Sequence, residues 1–541
     1  MRAWVLFTGQ LASALCAAVS AQSCANASCP ALLDATLDQV RQGLDSGAFS
    51  SVNLVDAYLA RISEVNDVLR AVTEINPDAR AIAEQLDAER QSGSPPSSPL
   101  HGVPILIKNN IATADSMNNT AGSFALLGGK VPEDSFVVAK LRKAGAIILG
   151  KSNLSQWANL RSVNTSNGWS AHGGQTVGAY YPGQDPSGSS SGSAVASSIG
   201  LAWATLGTET AGSILSPAQL SNTVGIKATV GLTSRYLVIP ISEHQDTVGP
   251  LARTVKDAAH LLSAIAGPDP KDNYTSAFPF DRVPDYAGAC NETALKGRRL
   301  GVPRNLISFD DSDPSMAAFE SALVVLREAG AEIVDDLIFP GMDMLAENAS
   351  TIVENSDIAT NLPHYLSLLT SNPNNITSLQ DLRQFTQEDP REEFPQRDIL
   401  VWDEVLAQGF DNNSPEVQSN RAAIAYLVGQ LGLTGALKNF TLDAVVLPTQ
   451  SAILAAALLG TPVVTVPLGR LPDSTPFEPN DFGNLNATGP NLPFGIAFSG
   501  DKWSEESLIG MAYAFEQRTK VRDTIKPLVQ PKTELRDVVG R

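Results

Sequence analysis

Stretches of helical periodicity alternate along the chain with short apolar runs. Apolar residues recur at i, i+3 and i+4 over residues 34–44 and 51–65, and a third amphipathic stretch runs from Pro77 through Arg90. The Ser- and Pro-rich stretch 92–99 predicts a surface linker. Beyond it, 103–107 and 146–149 have strand length, with a helix predicted over 135–144 between them. The alternation continues with helix 258–266, strand 299–302 and helix 316–329. Such a pattern predicts an α/β body, a large mixed β-sheet flanked by α-helices on both faces. Residues from about 270 to 440 are less clearly punctuated, and no internal repeat is evident.

The first residues follow a different pattern. Arg2, the mostly apolar stretch 3–18 and then Val19-Ser20-Ala21 read as a secretory signal peptide cleaved after Ala21. The apolar stretch is short and broken by Thr8-Gly9-Gln10, whereas a membrane span needs about 20 apolar residues. The longest later apolar tract, 452–466, is interrupted by Gly460-Thr461-Pro462, so no membrane partner is expected. The predicted organisation is a leader over 1–21, an N-terminal helical segment over 22–99, and a core over 100–541 with a variable region at about 270–440.

Export changes the reading of several side chains. Cleavage leaves Cys24, Cys29 and Cys290, so one disulfide and one free thiol are expected, with the pairing open. Glycan acceptor motifs occur at Asn26, Asn118, Asn164, Asn273, Asn291, Asn348, Asn375, Asn412, Asn439 and Asn486, and also at Asn153, which is expected to be buried and silent.

Charge and composition exclude some functions. With 38 Lys and Arg against 57 Asp and Glu, the formal net charge of −19 has the wrong sign for a nucleic-acid backbone. Five His, four Cys and no C-x-x-C spacing argue against a metal site, and no cofactor is expected.

Three motif matches compete for the chemistry. Gly145 to Ser152 fits G-x-x-x-x-G-K-[ST], but the four variable positions are Ala-Ile-Ile-Leu, a strand where a phosphate cradle needs a flexible loop. Gly188-Ser189-Ser190-Ser191-Gly192 fits the G-x-S-x-G elbow, with Ser190 as nucleophile and His172-Gly173-Gly174 mimicking an oxyanion motif. That reading needs a buried strand immediately before the serine, yet 181–187 reads as loop, and the last histidine, His364, comes early for the required order.

The third match accounts for more residues. Gly188 to Ala194, followed by Gly207-Thr208-Glu209-Thr210-Ala211-Gly212-Ser213-Ile214, closely resembles the signature of the amidase signature family of serine hydrolases. Further blocks occur in the family's order: Leu100 to Asn109 around Lys108, 138–153, Asp246 to Asp257, and Pro493 to Glu516. Spacing agrees with this. A helix of about ten residues from Ser193 advances about 15 Å, and the return run 202–206 with its turn covers a similar distance. If the return run packs antiparallel to the helix, Ser213 comes back beside Ser189.

The resemblance implies an amidase acting on a small-molecule amide through a Ser-Ser-Lys triad. Ser213 would be the nucleophile, Ser189 the proton relay and Lys108 the base, neutral because burial disfavours its ammonium. Backbone N–H groups of Thr210, Ala211, Gly212 and Ser213 would receive the developing oxyanion. The chain departs from the family pattern at Asn109, Ser191, Glu209, Ala211 and Leu215. Loss of the usual arginine at 215 and the usual acid at 109 implies a changed ion-pair network behind the nucleophile. An esterase on the same residues, or a catalytically weak binding protein, are the alternatives; the sequence leaves acyl and amine specificity and oligomeric state open.

Overall fold

A computed structural model describes residues 29–539 apart from 94, 95, 97 and 310–312. The predicted leader and its expected cleavage site at Ala21, with Cys24 and Asn26, lie outside the described residues.

The apolar runs pair into one mixed sheet of eleven strands. In chain order these are β1 (Val72–Ile75), β2 (Pro104–Lys108), β3 (Ile147–Ser152), β4 (Ala204–Glu209), β5 (Val224–Lys227), β6 (Thr247–Ala252), β7 (Arg299–Pro303), β8 (Glu332–Leu337), β9 (Ala444–Pro448), β10 (Val463–Arg470) and β11 (Pro493–Ser499). Their order across the sheet is β1-β3-β2-β4-β6-β5-β10-β11-β9-β7-β8. The β3-β2-β4 and β9-β7-β8 blocks are parallel, and the remaining pairs are antiparallel.

Strands β2 to β6 and β9 are buried at every position. Because successive side chains point to opposite faces, both faces of the central sheet are covered. This explains why the strands read as unbroken apolar runs rather than as alternation.

Helices Leu37–Ser46, Ser51–Leu69 and Ala79–Gln91 form the predicted N-terminal layer. Thr36 and Ser50 close capping boxes at the starts of the first two. The segment is not purely helical, since it also contributes β1, an edge strand antiparallel to β3. Four residues are too few to show a two-residue period in the sequence.

The variable region holds helices Ala349–Ser367, Leu379–Glu388, Leu400–Gln408 and Pro415–Ile424. A second core, including Leu362, Tyr365, Leu382 and Trp402, packs the first three against Trp157 and Leu126 of the main body, while Ile424 of the fourth clusters with Val353 of the first. The ion pair Arg161–Glu392, 3.1 Å apart and closed to solvent, ties the two together. No helix of the described residues is long and apolar enough to cross a membrane. Cys29 is disulfide-bonded and Cys290 is free, so the pairing left open by the sequence does not join these two.

Candidate active site

Strand β2 is apolar up to its last residue and carries Lys108 into the interior with no exposed surface. Its Nζ donates to Ser189 Oγ at 2.7 Å, Ser190 Oγ at 3.0 Å and the Thr208 carbonyl at 3.1 Å. Burial pushes the pKa of this ammonium down to about 7, with the Asp246 and Glu209 carboxylates opposing part of the shift.

The two serines play different structural parts. Ser190 Oγ donates to the Thr208 carbonyl at 3.0 Å and accepts from the Thr208 N–H, so it buttresses the lysine against β4. Ser189 precedes the Ser191–Ser198 helix and accepts from Lys108. The Gly188–Ser189 peptide is cis, and a Cβ at Gly188 would lie 2.2 Å from Ser155 Oγ, leaving room for glycine alone.

The helix after Ser190 has eight residues rather than about ten, and β4 then returns the chain as expected. The Ser190 N–H donates to the Ser213 carbonyl at 3.1 Å, which sets the Ser213 backbone beside the Ser189–Ser190 step. Lys108 and Ser189 are fully enclosed, whereas Ser213 is 7% exposed and borders solvent. Between β4 and the Leu215–Leu220 helix, Thr210 to Ser213 form a loop in which Gly212 takes φ +82°, the left-handed region that glycine favours.

Departures from the family pattern have readable consequences. Glu209 Oε2 accepts the N–H groups of Ile214 and Leu215 at 2.7 and 2.9 Å, anchoring the chain just after Ser213. Leu215 packs in an apolar cluster with Leu447, Ile453 and Ala456 instead of offering a cation to Glu209. Buried Lys227, its pKa lowered by desolvation to about 8, feels the Glu209 charge in its place. Asn109 Oδ1 accepts from the Thr120 N–H, Thr120 Oγ1 and the Gly122 N–H, so it makes hydrogen bonds that a carboxylate could also accept. Ser191 Oγ donates to the Ser187 carbonyl, and Ala211 is exposed.

Asp246 opens a block that the sequence reading quoted without assigning it a role. Its carboxylate accepts from Thr210 Oγ1 at 2.6 Å and from the N–H groups of Ile241 and Ser242. Burial raises its pKa to about 6.

The competing motifs resolve differently. Residues 147–152 of the phosphate-loop match are β3, and Lys151 spends its ammonium on the Ile111 carbonyl and Asn119 Oδ1. No strand lies immediately before Ser190, and its hydroxyl donates to Thr208. The histidine and cysteine inventory pointed to no cluster of metal-ligand donors, yet the fold assembles Glu243, His244 and Asp357 with donor atoms within 4.8 Å of one another. These donors are engaged: Asp357 takes His244 Nδ1 and Ser242 Oγ, and Glu243 accepts from Asn412.

Among the acceptor asparagines, Asn164, Asn273, Asn291, Asn348, Asn375 and Asn439 are exposed, while Asn118 and Asn486 are half-buried. Asn153 is buried as expected, its Nδ2 within reach of four acceptors. Asn412 corrects the sequence reading: it is buried, with Nδ2 donating to Glu243 at 2.6 Å.

Known proteins with similar sequences and structures identify the family. The Amidase family model matches residues 53–509. A putative amidase of Arthroderma benhamiae is 50% identical over 535 residues, covering 94% of this chain and 90% of its own. A probable amidase of Arabidopsis thaliana is 37% identical, covering 90% and 91%. The structure of a peptide amidase from Stenotrophomonas maltophilia superposes with a TM-score of 0.81 at 37% identity, covering 92% of this chain and 98% of that one. The chain therefore belongs to the amidase signature family, enzymes that hydrolyse carbon–nitrogen bonds of amides.

Proposed function

We propose that this amidase is secreted and hydrolyses a carboxylic amide through an acyl-Ser213 intermediate, with Ser189 as proton relay and Lys108 as base. The supporting observation is the enclosed Lys108 Nζ at 2.7 Å from Ser189 Oγ, with a pKa near 7 that leaves much of the amine neutral at neutral pH. Neutral Nζ takes the Ser189 hydroxyl proton as Ser189 Oγ takes that of Ser213. The Ser213 oxygen then bonds to the amide carbon, and the carbonyl oxygen becomes an oxyanion facing the N–H groups of the 210–213 loop. Collapse breaks the carbon–nitrogen bond, and the amine leaves with the proton returned through Ser189. Water, deprotonated along the same relay, releases the carboxylic acid and restores Ser213.

Similarity to a peptide amidase makes peptide amides the first substrates to assay, beside aryl and aliphatic amides and their esters. Transfer of ammonia to a charged tRNA fits poorly with a net charge of −19. The test is a serine-directed fluorophosphonate. Covalent labelling at Ser213, with turnover abolished in Ser213→Ala, is expected. Folded protein that does not label and does not turn over would make it a binding protein instead.

A further inference from the structure

The loop that carries Ser213 lies between a strand and a short helix, so its own backbone has no ladder to hold it. A carboxylate grips each end. Glu209 takes the N–H groups of Ile214 and Leu215 after Ser213. Before Ser213, Thr210 Oγ1 donates to Asp246 Oδ1 at 2.6 Å, while Asp246 Oδ2 is fixed by the Ile241 and Ser242 N–H groups at 2.8 and 3.0 Å. Sheet register makes this meeting possible: β6 runs antiparallel to β4 with Thr247 opposite Glu209, which brings Asp246 level with Thr210.

We propose that Asp246 is a positioning residue for amide hydrolysis: its carboxylate anchors Thr210 and, through it, the backbone N–H groups that receive the oxyanion. The inference rests on the Ser-Ser-Lys reading above. Oxyanion donors act only when held in place before the charge develops, and a misplacement of about 1 Å costs about 100-fold in rate. A carboxylate held by two backbone N–H groups is a firm post for the threonine hydroxyl.

The same carboxylate also acts on the base. Lys108, Arg235 and Glu354 are among the charged and titratable groups that interact with it. Arg235 is itself paired with Asp272 at 2.8 Å, and the Glu354 carboxyl is pushed upward by burial. The Asp246 charge favours the protonated form of Lys108, so removing it lowers the lysine's affinity for a proton.

The test uses the full-length enzyme with Thr210→Val, Thr210→Ser and Asp246→Asn. Thr210→Val is expected to lower kcat about 10- to 100-fold with KM little changed, and Thr210→Ser to restore most of the loss. Asp246→Asn is expected to move the acid limb of kcat/KM downward by about one pH unit, while Thr210→Val leaves it in place. Wild-type kcat in Thr210→Val would overturn the proposal. If Asp246→Asn does not fold, the threonine pair decides: a loss rescued by serine supports the anchor, and no loss overturns it. Fluorophosphonate labelling separates the two readings. Failure to label wild-type Ser213 sinks both, whereas normal labelling with an indifferent Thr210→Val sinks the Asp246 role alone.

Discussion

Lys108 shows how a single residue can acquire a function by its surroundings. An exposed lysine holds its proton to about pH 10.4 and is useless as a base at neutrality. Enclosure at the end of β2 removes solvent from the ammonium and brings its pKa to about 7. The base must be neutral, so kcat/KM is expected to fall as pH drops through about 7 and to level off above it. Lys108→Ala should erase that limb, and Lys108→Arg should not rescue, because guanidinium stays charged. Ser190→Ala should keep measurable activity, since Ser190 steadies the lysine, directly and through Thr208, without standing in the proton relay, whereas Ser189→Ala should be severe. A pH–rate series on the purified variants checks all four. An unchanged profile in Lys108→Ala would assign the base elsewhere.

Among the elements, the helical region 349–424 shares an apolar core with the sheet body, and an enclosed acid, Glu392, adds a polar tie. Glu392 Oε1 accepts from Ser123 Oγ and the Phe124 N–H, and Oε2 accepts from Gln156 and Arg161. Arg161 also donates to the carbonyls of Glu392 and Arg397. Removing one partner of such a pair leaves an uncompensated buried charge. Glu392→Ala is therefore expected to cost about 3–5 kcal/mol, read as a lowered denaturant midpoint. If the variant unfolds at the wild-type midpoint, this contact does not secure the region.

At the scale of the whole molecule, the proposed export has a testable chemical signature. The mature chain should begin near Gln22, and its mass should drop on enzymatic deglycosylation. Site mapping should find glycan at exposed positions such as Asn273, Asn348 and Asn439. Asn153 and Asn412 should stay bare, because their side-chain amides already donate inside the protein. An unglycosylated chain that keeps Met1 would overturn the localisation.

Local patterns set much of this protein by themselves. Helices at 34–44, 51–65 and 135–144 and strands at 103–107, 146–149 and 299–302 were legible because each buries one stripe or both faces, and burial writes itself into residue type. The Ser- and Gly-rich signature was legible through its resemblance to that of a known family, and the lengths of its helix and returning strand allow its ends to meet. Other features depend on partners far apart in sequence. The edge strand β1 exists because β3 offers it a partner, and the acid that takes the Thr210 hydroxyl is Asp246 because β4 and β6 pair in one register. Whether Asn412 is a glycan site or a buried donor was decided by Glu243, 169 residues away. Sequence pattern reports what each residue prefers to be near, and only the packed chain decides which residue that is.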